Sequence, residues 1–157
     1  MAQEIERKFL LAGDDWPRLN GQAIAQGYLS RDKHRTVRVR LKGEAAFLTI
    51  KGLSTGATRA EFEYPIPVAD AQALLALCEG PVLKKTRYHL PQGTHTWEID
   101  VFEGDNAGLV VAEIELGHED EAFERPTWLG AEVTHDPRYF NANLIAHPYS
   151  RWADSGS

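Results

Sequence analysis

The stretch TVRVRLK, residues 36–42, alternates strictly between apolar and basic side chains. Successive side chains of a β-strand point to opposite faces, so this stretch predicts a strand with one apolar and one basic face. The apolar face carries Val37, Val39 and Leu41. The opposite face carries Arg38, Arg40 and Lys42. Three cations at alternate positions must lie either in solvent or against an anion.

Period-two alternation continues along most of the chain. Seven further stretches have the length and composition of strands, with turn residues such as Gly43 between them. They are QEIERKFLL (3–11), AIAQGYLS (23–30), AAFLTIK (45–51), TRAEFEYPI (58–66), VLKKTRYHL (82–90), THTWEIDVFEG (94–104) and GLVVAEIELG (108–117). Eight strands predict a mainly β, α+β fold: an antiparallel sheet or an eight-stranded antiparallel closed β-barrel, with a few helices packed outside. Closure is favoured because it removes the two exposed edges of a flat sheet.

Helical patterns are fewer than strand patterns. VADAQALLALCEG, residues 68–80, repeats apolar residues near helical spacing and ends at a glycine. DPRYFNANLIAH, residues 136–147, offers Asp136 as N-cap and Pro137 as the first helical residue. A third, short helix is predicted to begin near residues 14–15, with a proline in its first turn.

Length and composition favour one ordinary globular domain. The chain has 157 residues, of which 43% are hydrophobic and 25% charged. We expect a single domain over residues 1–152 and a disordered tail at 153–157. The lack of a long apolar run or an apolar leader predicts a cytoplasmic protein without membrane partners. The single cysteine, Cys78, lies in an apolar stretch and is expected to be a buried thiol.

Charge is distributed unevenly along the chain. The formal net charge of -6 argues against nucleic acid as a partner. Residues 31–51 hold seven basic and two acidic residues, whereas residues 92–136 hold twelve acidic and one basic. Such segregation would be unfavourable if each segment packed against itself. We therefore expect basic and acidic segments to face each other, or to face a ligand that contains both cations and anions.

The sign of the charge is also sorted strand by strand. A solvated outer face is the ordinary explanation of polar alternation in a sheet, but a surface that serves solubility usually mixes signs. We therefore predict that the charged rows line the barrel interior and that the apolar rows face outward against the helices. The rows are Glu4/Glu6/Lys8, Arg38/Arg40/Lys42, Thr49/Lys51, Glu61/Glu63, Lys85/Arg87, Glu98/Asp100 and Glu113/Glu115.

An interior of this kind suits one class of ligand. An eight-stranded barrel can hold one small molecule. Paired Arg and Lys residues would clamp phosphate oxygens, and clustered Glu residues would bind a hard divalent cation through oxygen. Together these groups indicate a metal-bound polyphosphate.

The ordered motifs resemble those of the CYTH domain family, the triphosphate tunnel metalloenzymes. EIERK (4–8) matches the family's ExExK signature, which is a weak pattern by itself. The rest follow in family order over essentially the whole chain: VRVR, LTIK, EFEY, KKTRY, WEIDVF, AEIEL and WLGAEVTHDPRYFNANL. This ordered set is highly specific. It implies an eight-stranded antiparallel tunnel that hydrolyses or cyclises a triphosphate with Mg²⁺ or Mn²⁺.

The resemblance also implies roles for individual residues. The implied metal ligands are Glu4, Glu6 and Glu115. The implied triphosphate clamp consists of Lys8, Arg38, Arg40, Lys51, Lys85 and Arg87. Glu63 and Glu113 resemble acidic positions that bind a second metal ion or orient water. Asp100 is expected to hold a basic residue in its rotamer, while the roles of Glu61 and Glu98 are left open.

Three functions remain open at this point. The chain is most similar to the small bacterial-type inorganic triphosphatases, so hydrolysis of tripolyphosphate to pyrophosphate and phosphate is the leading hypothesis. An adenylate cyclase of class IV type, or a thiamine or nucleoside triphosphatase, is the second, and a non-catalytic polyphosphate-binding module is the third. A thiamine substrate would need an aromatic cradle. Candidates are Trp16, Tyr28, Trp128, Tyr139 and Trp152. The oligomeric state is open, and a homodimer is one option.

Overall fold

The computed structural model describes residues 3–152, so the tail predicted at 153–157 lies outside the described residues. Within that range the chain forms nine strands and two α-helices. The strands are β1 (Gln3–Leu11), β2 (Gln22–Ser30), β3 (Arg35–Lys42), β4 (Ala45–Gly52), β5 (Thr58–Pro65), β6 (Glu79–Gln92), β7 (His95–Phe102), β8 (Val110–Glu115) and β9 (Leu129–Glu132). The α-helices are α1 (Val68–Leu75) and α2 (Asn141–Ala146). Three short 3₁₀ turns cover Gly104–Asn106, Pro137–Tyr139 and Tyr149–Arg151.

Eight of the strands close into an antiparallel barrel, which confirms the fold predicted from the alternating patterns. The order is β5-β4-β3-β2-β6-β7-β8-β1, and β1 pairs back to β5. The closing seam joins Gln3–Ile5 to Thr58–Ala60. The ninth strand, β9, pairs with β1 beyond this seam and was not predicted. Its four residues are too short to show a period.

Loops rather than helices cover the outer wall of β1, β6, β7 and β8. Phe9 and Trp97 are fully buried there and meet edge to face, with ring centroids 5.7 Å apart. From the loop after β1, Trp16 packs edge to face on Tyr88 with ring centroids 5.3 Å apart. The helix predicted near residues 14–15 is therefore wrong: the segment is an irregular loop that places Trp16 against the wall.

Both other helix predictions hold in part. The first helix, α1, begins after Pro67 and packs on β2, β3 and β4. Cys78, just beyond it, is half-buried rather than buried. In the second segment the Asp136 carboxylate accepts a hydrogen bond from the Arg138 N–H at 3.1 Å, as predicted for an N-cap, but it caps a 3₁₀ turn. The α-helix begins only after Phe140, whose backbone is extended.

Neither described helix has the length and apolar character that crossing a membrane requires.

One part of the outer wall departs from the expectation that apolar rows pack against helices. On β5, Phe62 and Tyr64 remain 44% and 52% exposed. They lie opposite Ile50 and Leu48 of β4 in the strand register. The two helices are too short to cover the whole circumference of the barrel, and α1 lies mainly on β2, β3 and β4.

The interior face changes from charged to apolar along the strands. Phe102 and Val111 are each two residues from a charged interior side chain, Asp100 and Glu113 respectively, and therefore share its face. Both are buried in a cluster with residues of α2. The cluster contains Tyr28, Leu83, Phe102, Leu109, Val111, Tyr139, Leu144 and Ile145. This apolar cluster and α2 fill one part of the barrel and leave the charged part hollow.

Candidate active site in the barrel interior

A cavity of about 350 Å³ occupies the charged part of the barrel. All eleven residues that the sequence predicts for the site line it. They are Glu4, Glu6, Lys8, Arg38, Arg40, Lys51, Glu63, Lys85, Arg87, Glu113 and Glu115. The charged rows therefore turn inward, as predicted. Strand pairing in the barrel then brings together residues that are more than 100 positions apart in the chain, such as Lys8 and Glu113.

The cavity has a basic half, lined by Arg38, Arg40, Lys85 and Arg87, and an acidic half, lined by Glu4, Glu6 and Glu115. In the basic half, one buried carboxylate binds two cations. The Lys85 ammonium donates to Asp100 Oδ2 at 2.6 Å, and Arg87 donates to both Asp100 oxygens at 2.7 and 2.9 Å. Lys85 is 1% exposed and Asp100 is fully buried. The contacts are those expected of Asp100 as a holder of basic side chains. Burial would raise the pKa of Asp100, but Arg87 and Lys85 outweigh it and lower the pKa below its usual value.

The remaining positive charge in this half is not fully compensated. Burial lowers the pKa of Lys85 to about 7 despite Asp100, and the cations Arg87 and Arg40 add to the effect. Burial, Arg38 and Arg87 lower the pKa of Arg40 to about 9. The buried Arg38 Nε has no hydrogen-bond partner among the described residues. A buried unpaired donor is costly, and a bound anion would satisfy it.

In the acidic half, the pKa of Glu4 is lowered whereas that of Glu6 is raised. Both carboxylate oxygens of Glu4 accept from the Lys51 ammonium at 3.0 Å, and this ion pair lowers the pKa of Glu4 although burial acts to raise it. Glu6 lies directly opposite Glu115 in the β1–β8 register. Burial, Glu113 and Glu4 raise the pKa of Glu6 well above its usual value. A bound cation would relieve the repulsion between these carboxylates.

Glu113 lies where the two halves meet. Its Oε1 is 3.9 Å from the Lys8 ammonium and 3.7 Å from Arg87 Nη2. Burial opposes its ionisation, but Lys8 and Arg87 lower its pKa well below the usual value. Glu63 is more exposed and lies 4.0 Å from Arg38 Nη2. Glu113 is therefore a fixed anion between the cations, whereas Glu63 borders the open part of the cavity.

The donor chemistry fits a hard divalent cation, since the acidic half offers carboxylate oxygens and excess negative charge. Within residues 3–152, however, no three His, Cys, Asp or Glu side chains are already arranged to hold a metal ion. The Lys51 ammonium stands where a cation would contact Glu4. Glu4, Glu6 and Glu115 are thus candidate ligands whose side chains would reorient around the ion.

Two amide side chains in the interior were not predicted from the sequence. Arg40 Nε donates to Gln26 Oε1 at 2.7 Å, and the Gln26 amide donates to Asn141 Oδ1 at 3.1 Å. The Lys85 ammonium donates to the same Asn141 oxygen at 2.8 Å. The polar Gln26 in the mainly apolar stretch AIAQGYLS could have indicated a polar contact in the interior. Nothing in the sequence shows that residue 141 is its partner.

Comparisons with known proteins match nearly the whole chain to one domain family. The family model described as the CYTH domain matches residues 2–149. An inorganic triphosphatase of Acetivibrio thermocellus is 48% identical over 156 residues, which are 98% of this chain and all of that protein. An inorganic triphosphatase of Nitrosomonas europaea is 40% identical over 146 residues, covering 90% of this chain and 95% of that protein.

Solved structures of similar fold were found as well. A crystal structure of an inorganic triphosphatase superposes with a TM-score of 0.66 at 36% identity, covering 92% of this chain and 95% of that one. A putative adenylate cyclase from Bacillus halodurans superposes with a TM-score of 0.58 at 15% identity, covering 76% and 84% of the two chains. The second likeness is one of fold alone.

Proposed function

The chain belongs to the CYTH domain family, and from that premise we propose that it hydrolyses inorganic tripolyphosphate to pyrophosphate and phosphate in its barrel, with a divalent metal ion. The observation that carries the proposal is the group of buried cations in the cavity, in which Arg38 Nε has no hydrogen-bond partner among the described residues and burial lowers the pKa values of Arg40 and Lys85. This group lies in the same cavity as Glu6, whose pKa is raised by burial and by neighbouring carboxylates. A metal triphosphate supplies both an anion for the cations and a cation for the carboxylates. The curated relatives at 48% and 40% identity bear the name of this activity.

We propose that the basic residues bind the phosphate chain. Arginines are suited to bidentate contacts with phosphate oxygens, and lysines act as point charges. The proposed clamp consists of Lys8, Arg38, Arg40, Lys51, Lys85 and Arg87. In the transition state, charge accumulates on the leaving pyrophosphate, and positioned cations neutralise it there.

Glu4, Glu6 and Glu115 are the proposed ligands of Mg²⁺ or Mn²⁺. The ion, when bound, supplies charge neutralisation and polarises the phosphate. Water attacks the terminal phosphorus, the bond from that phosphorus to the bridging oxygen breaks, and pyrophosphate leaves with that oxygen. The proton lost by the water passes to a phosphate oxygen or to solvent. The lowered pKa of Glu113 makes it a poor proton acceptor, so we assign Glu113, together with Glu63, to orienting the water.

A phosphate-release assay tests the function directly. With Mg²⁺ or Mn²⁺ present we expect turnover of tripolyphosphate to exceed that of ATP and thiamine triphosphate, and chelation of the metal to abolish it. Of the five aromatic candidates for a thiamine cradle, only Tyr28 lines the cavity in the described part of the chain. Cyclic AMP formed from ATP would instead identify a cyclase. If none of the three substrates were turned over, the protein would be a non-catalytic polyphosphate-binding module.

Binding is tested separately from chemistry by thermal unfolding in the presence of a chelator. Tripolyphosphate at a hundredfold excess over Kd should stabilise the protein by about 2.7 kcal/mol. Lys85→Met removes an interior cation and should weaken binding about ten- to a hundredfold, the range for one hydrogen bond to a charged group. Lys84→Met is the matched control, because Lys84 is exposed and lies on the opposite face of β6. Equal ligand-induced shifts in both variants would contradict an interior site.

Localisation and assembly stay predictions. We propose a cytoplasmic protein acting on a small-molecule triphosphate, with the homodimer as an option that sedimentation can test.

A further inference from the structure

A continuous chain of hydrogen bonds joins three residues of the proposed clamp. It runs from Arg40 through Gln26 and Asn141 to Lys85, and from Lys85 through Asp100 to Arg87. The second half contains the ion pairs already described. The first half is made by two neutral amides, one on β2 and one on the first residue of α2. These amides connect Arg40 and Lys85, whose side chains lie on different strands.

The orientation of both amides follows from the charged groups at the ends of the chain. Arg40 Nε can only donate, so the Gln26 atom that faces it at 2.7 Å must be the oxygen. The Gln26 nitrogen then faces Asn141. The Lys85 ammonium also can only donate, so the Asn141 atom at 2.8 Å must be its oxygen. Each donor therefore meets an acceptor, and neither amide can flip without breaking a bond to a cation.

The position of Asn141 depends on the backbone break that precedes it. Phe140 is extended, so the 3₁₀ turn and α2 do not form one continuous helix. The Lys8 ammonium donates to the carbonyl of Tyr139 at 3.2 Å. Lys8 on β1 and Lys85 on β6 thus both donate to the segment 139–141, and two of its residues, Phe140 and Asn141, line the cavity.

We propose that Gln26 and Asn141 are positioning residues that hold Arg40 and Lys85 in the orientation that receives the triphosphate. This inference rests on the proposed function. Lysine and arginine side chains lose much rotamer freedom when they bind a ligand, and that loss is smaller if the free protein already holds them in place. Gln26 is fully buried, and its amide serves Arg40, Asn141 and Tyr28 alone among the described residues.

The test compares alanine substitutions of two asparagines whose side chains bond to other parts of the protein. Asn141→Ala removes the link to Lys85 and Gln26. Asn106→Ala is the control, since Asn106 is buried away from the cavity lining and its side-chain oxygen accepts from the Tyr149 N–H at 2.8 Å. We expect KM for tripolyphosphate to rise about two- to tenfold in Asn141→Ala, the cost of ordering a freed lysine side chain on binding, and to stay near wild type in Asn106→Ala even where its melting temperature falls. The tripolyphosphate-induced rise in melting temperature, measured with chelator, should shrink in Asn141→Ala only.

A second variant separates positioning from mere stability. Gln26→Met nearly preserves side-chain volume and removes the acceptor for Arg40. If the two amides act as one unit, the double variant Gln26→Met/Asn141→Ala should raise KM by less than the product of the single effects. A lower melting temperature of the free protein with unchanged KM and an unchanged ligand-induced shift in Asn141→Ala would overturn the inference. Absence of wild-type turnover would instead overturn the proposed function, and the ligand-induced shift would still test the positioning role.

Discussion

Replacing Glu6 with Gln should abolish metal-dependent phosphate release and leave the barrel folded. Burial raises the pKa of Glu6 well above its usual value, and repulsion from Glu113 and Glu4 adds to the shift. A divalent ion contributes several kcal/mol to the stabilisation of a phosphoryl-transfer transition state, so losing a ligand should lower the rate about a thousandfold or more. Phosphate release at saturating Mg²⁺ or Mn²⁺ measures this effect.

The same substitution should not destabilise the metal-free protein. Gln has nearly the shape of Glu but no charge, so it relieves the repulsion from Glu4 and Glu113. We expect the melting temperature of metal-free Glu6→Gln at neutral pH to equal or exceed that of wild type. Glu44→Gln, in the exposed turn between β3 and β4, is the control and should change neither rate nor stability. A wild-type rate for Glu6→Gln would place the metal elsewhere, and an unfolded variant would show that Glu6 has a structural role.

Replacing Asp100 with Leu should produce the largest loss of stability among the interior variants. Asp100 is fully buried and is the shared partner of Lys85 and Arg87. Removing one partner of a buried ion pair leaves an uncompensated charge and typically costs about 3–5 kcal/mol. Urea unfolding at pH 7 measures the loss, and saturating tripolyphosphate should recover part of it because the phosphates supply negative charge to the same cations.

The contribution of Asp100 has a defined pH dependence. Its pKa in the folded protein lies below the usual value, so the stabilisation is fully present above the usual carboxyl range and is lost as the pH falls through the lowered pKa. Wild type and Asp100→Leu should therefore converge in stability in acid. Asp14→Leu is the control, because Asp14 pairs with Arg18 at an exposed site where ion pairs contribute little. If Asp100→Leu lowered the free energy of unfolding no more than Asp14→Leu does, solvent or local rearrangement would have to neutralise Lys85 and Arg87.

The parts of the site that sequence alone predicts are those that depend on strand alternation. Arg38 and Arg40 share a face because they are two residues apart, and their common sign indicates an interior ligand. The same rule places Glu113 and Glu115 together on the cavity face. A period of two is a local property, so it can be recognised without knowledge of which strands are neighbours.

The parts that sequence does not predict depend on contacts between distant segments. Gln26 and Asn141 are 115 positions apart and meet only because α2 folds back on the barrel. The extended Phe140 likewise divides the predicted second helix. The carbonyl of Tyr139, just before it, accepts a hydrogen bond from Lys8 on β1. The sequence predicts that helices cover the apolar outer face of the barrel, but Phe62 and Tyr64 remain exposed. The covered area depends on the length of the helices, which the strand pattern does not determine.

The short seam between β1 and β5 has a consequence for motion. Described pairing there is limited to Gln3–Ile5 with Thr58–Ala60, whereas β3 and β4 pair along eight residues each. Local opening begins where few hydrogen bonds must break together, so amide protons of the seam should exchange with deuterium before those of β3 and β4. Glu4 lies within the seam, and a transient gap there would give ions a sideways route to the carboxylates, independent of the barrel's ends.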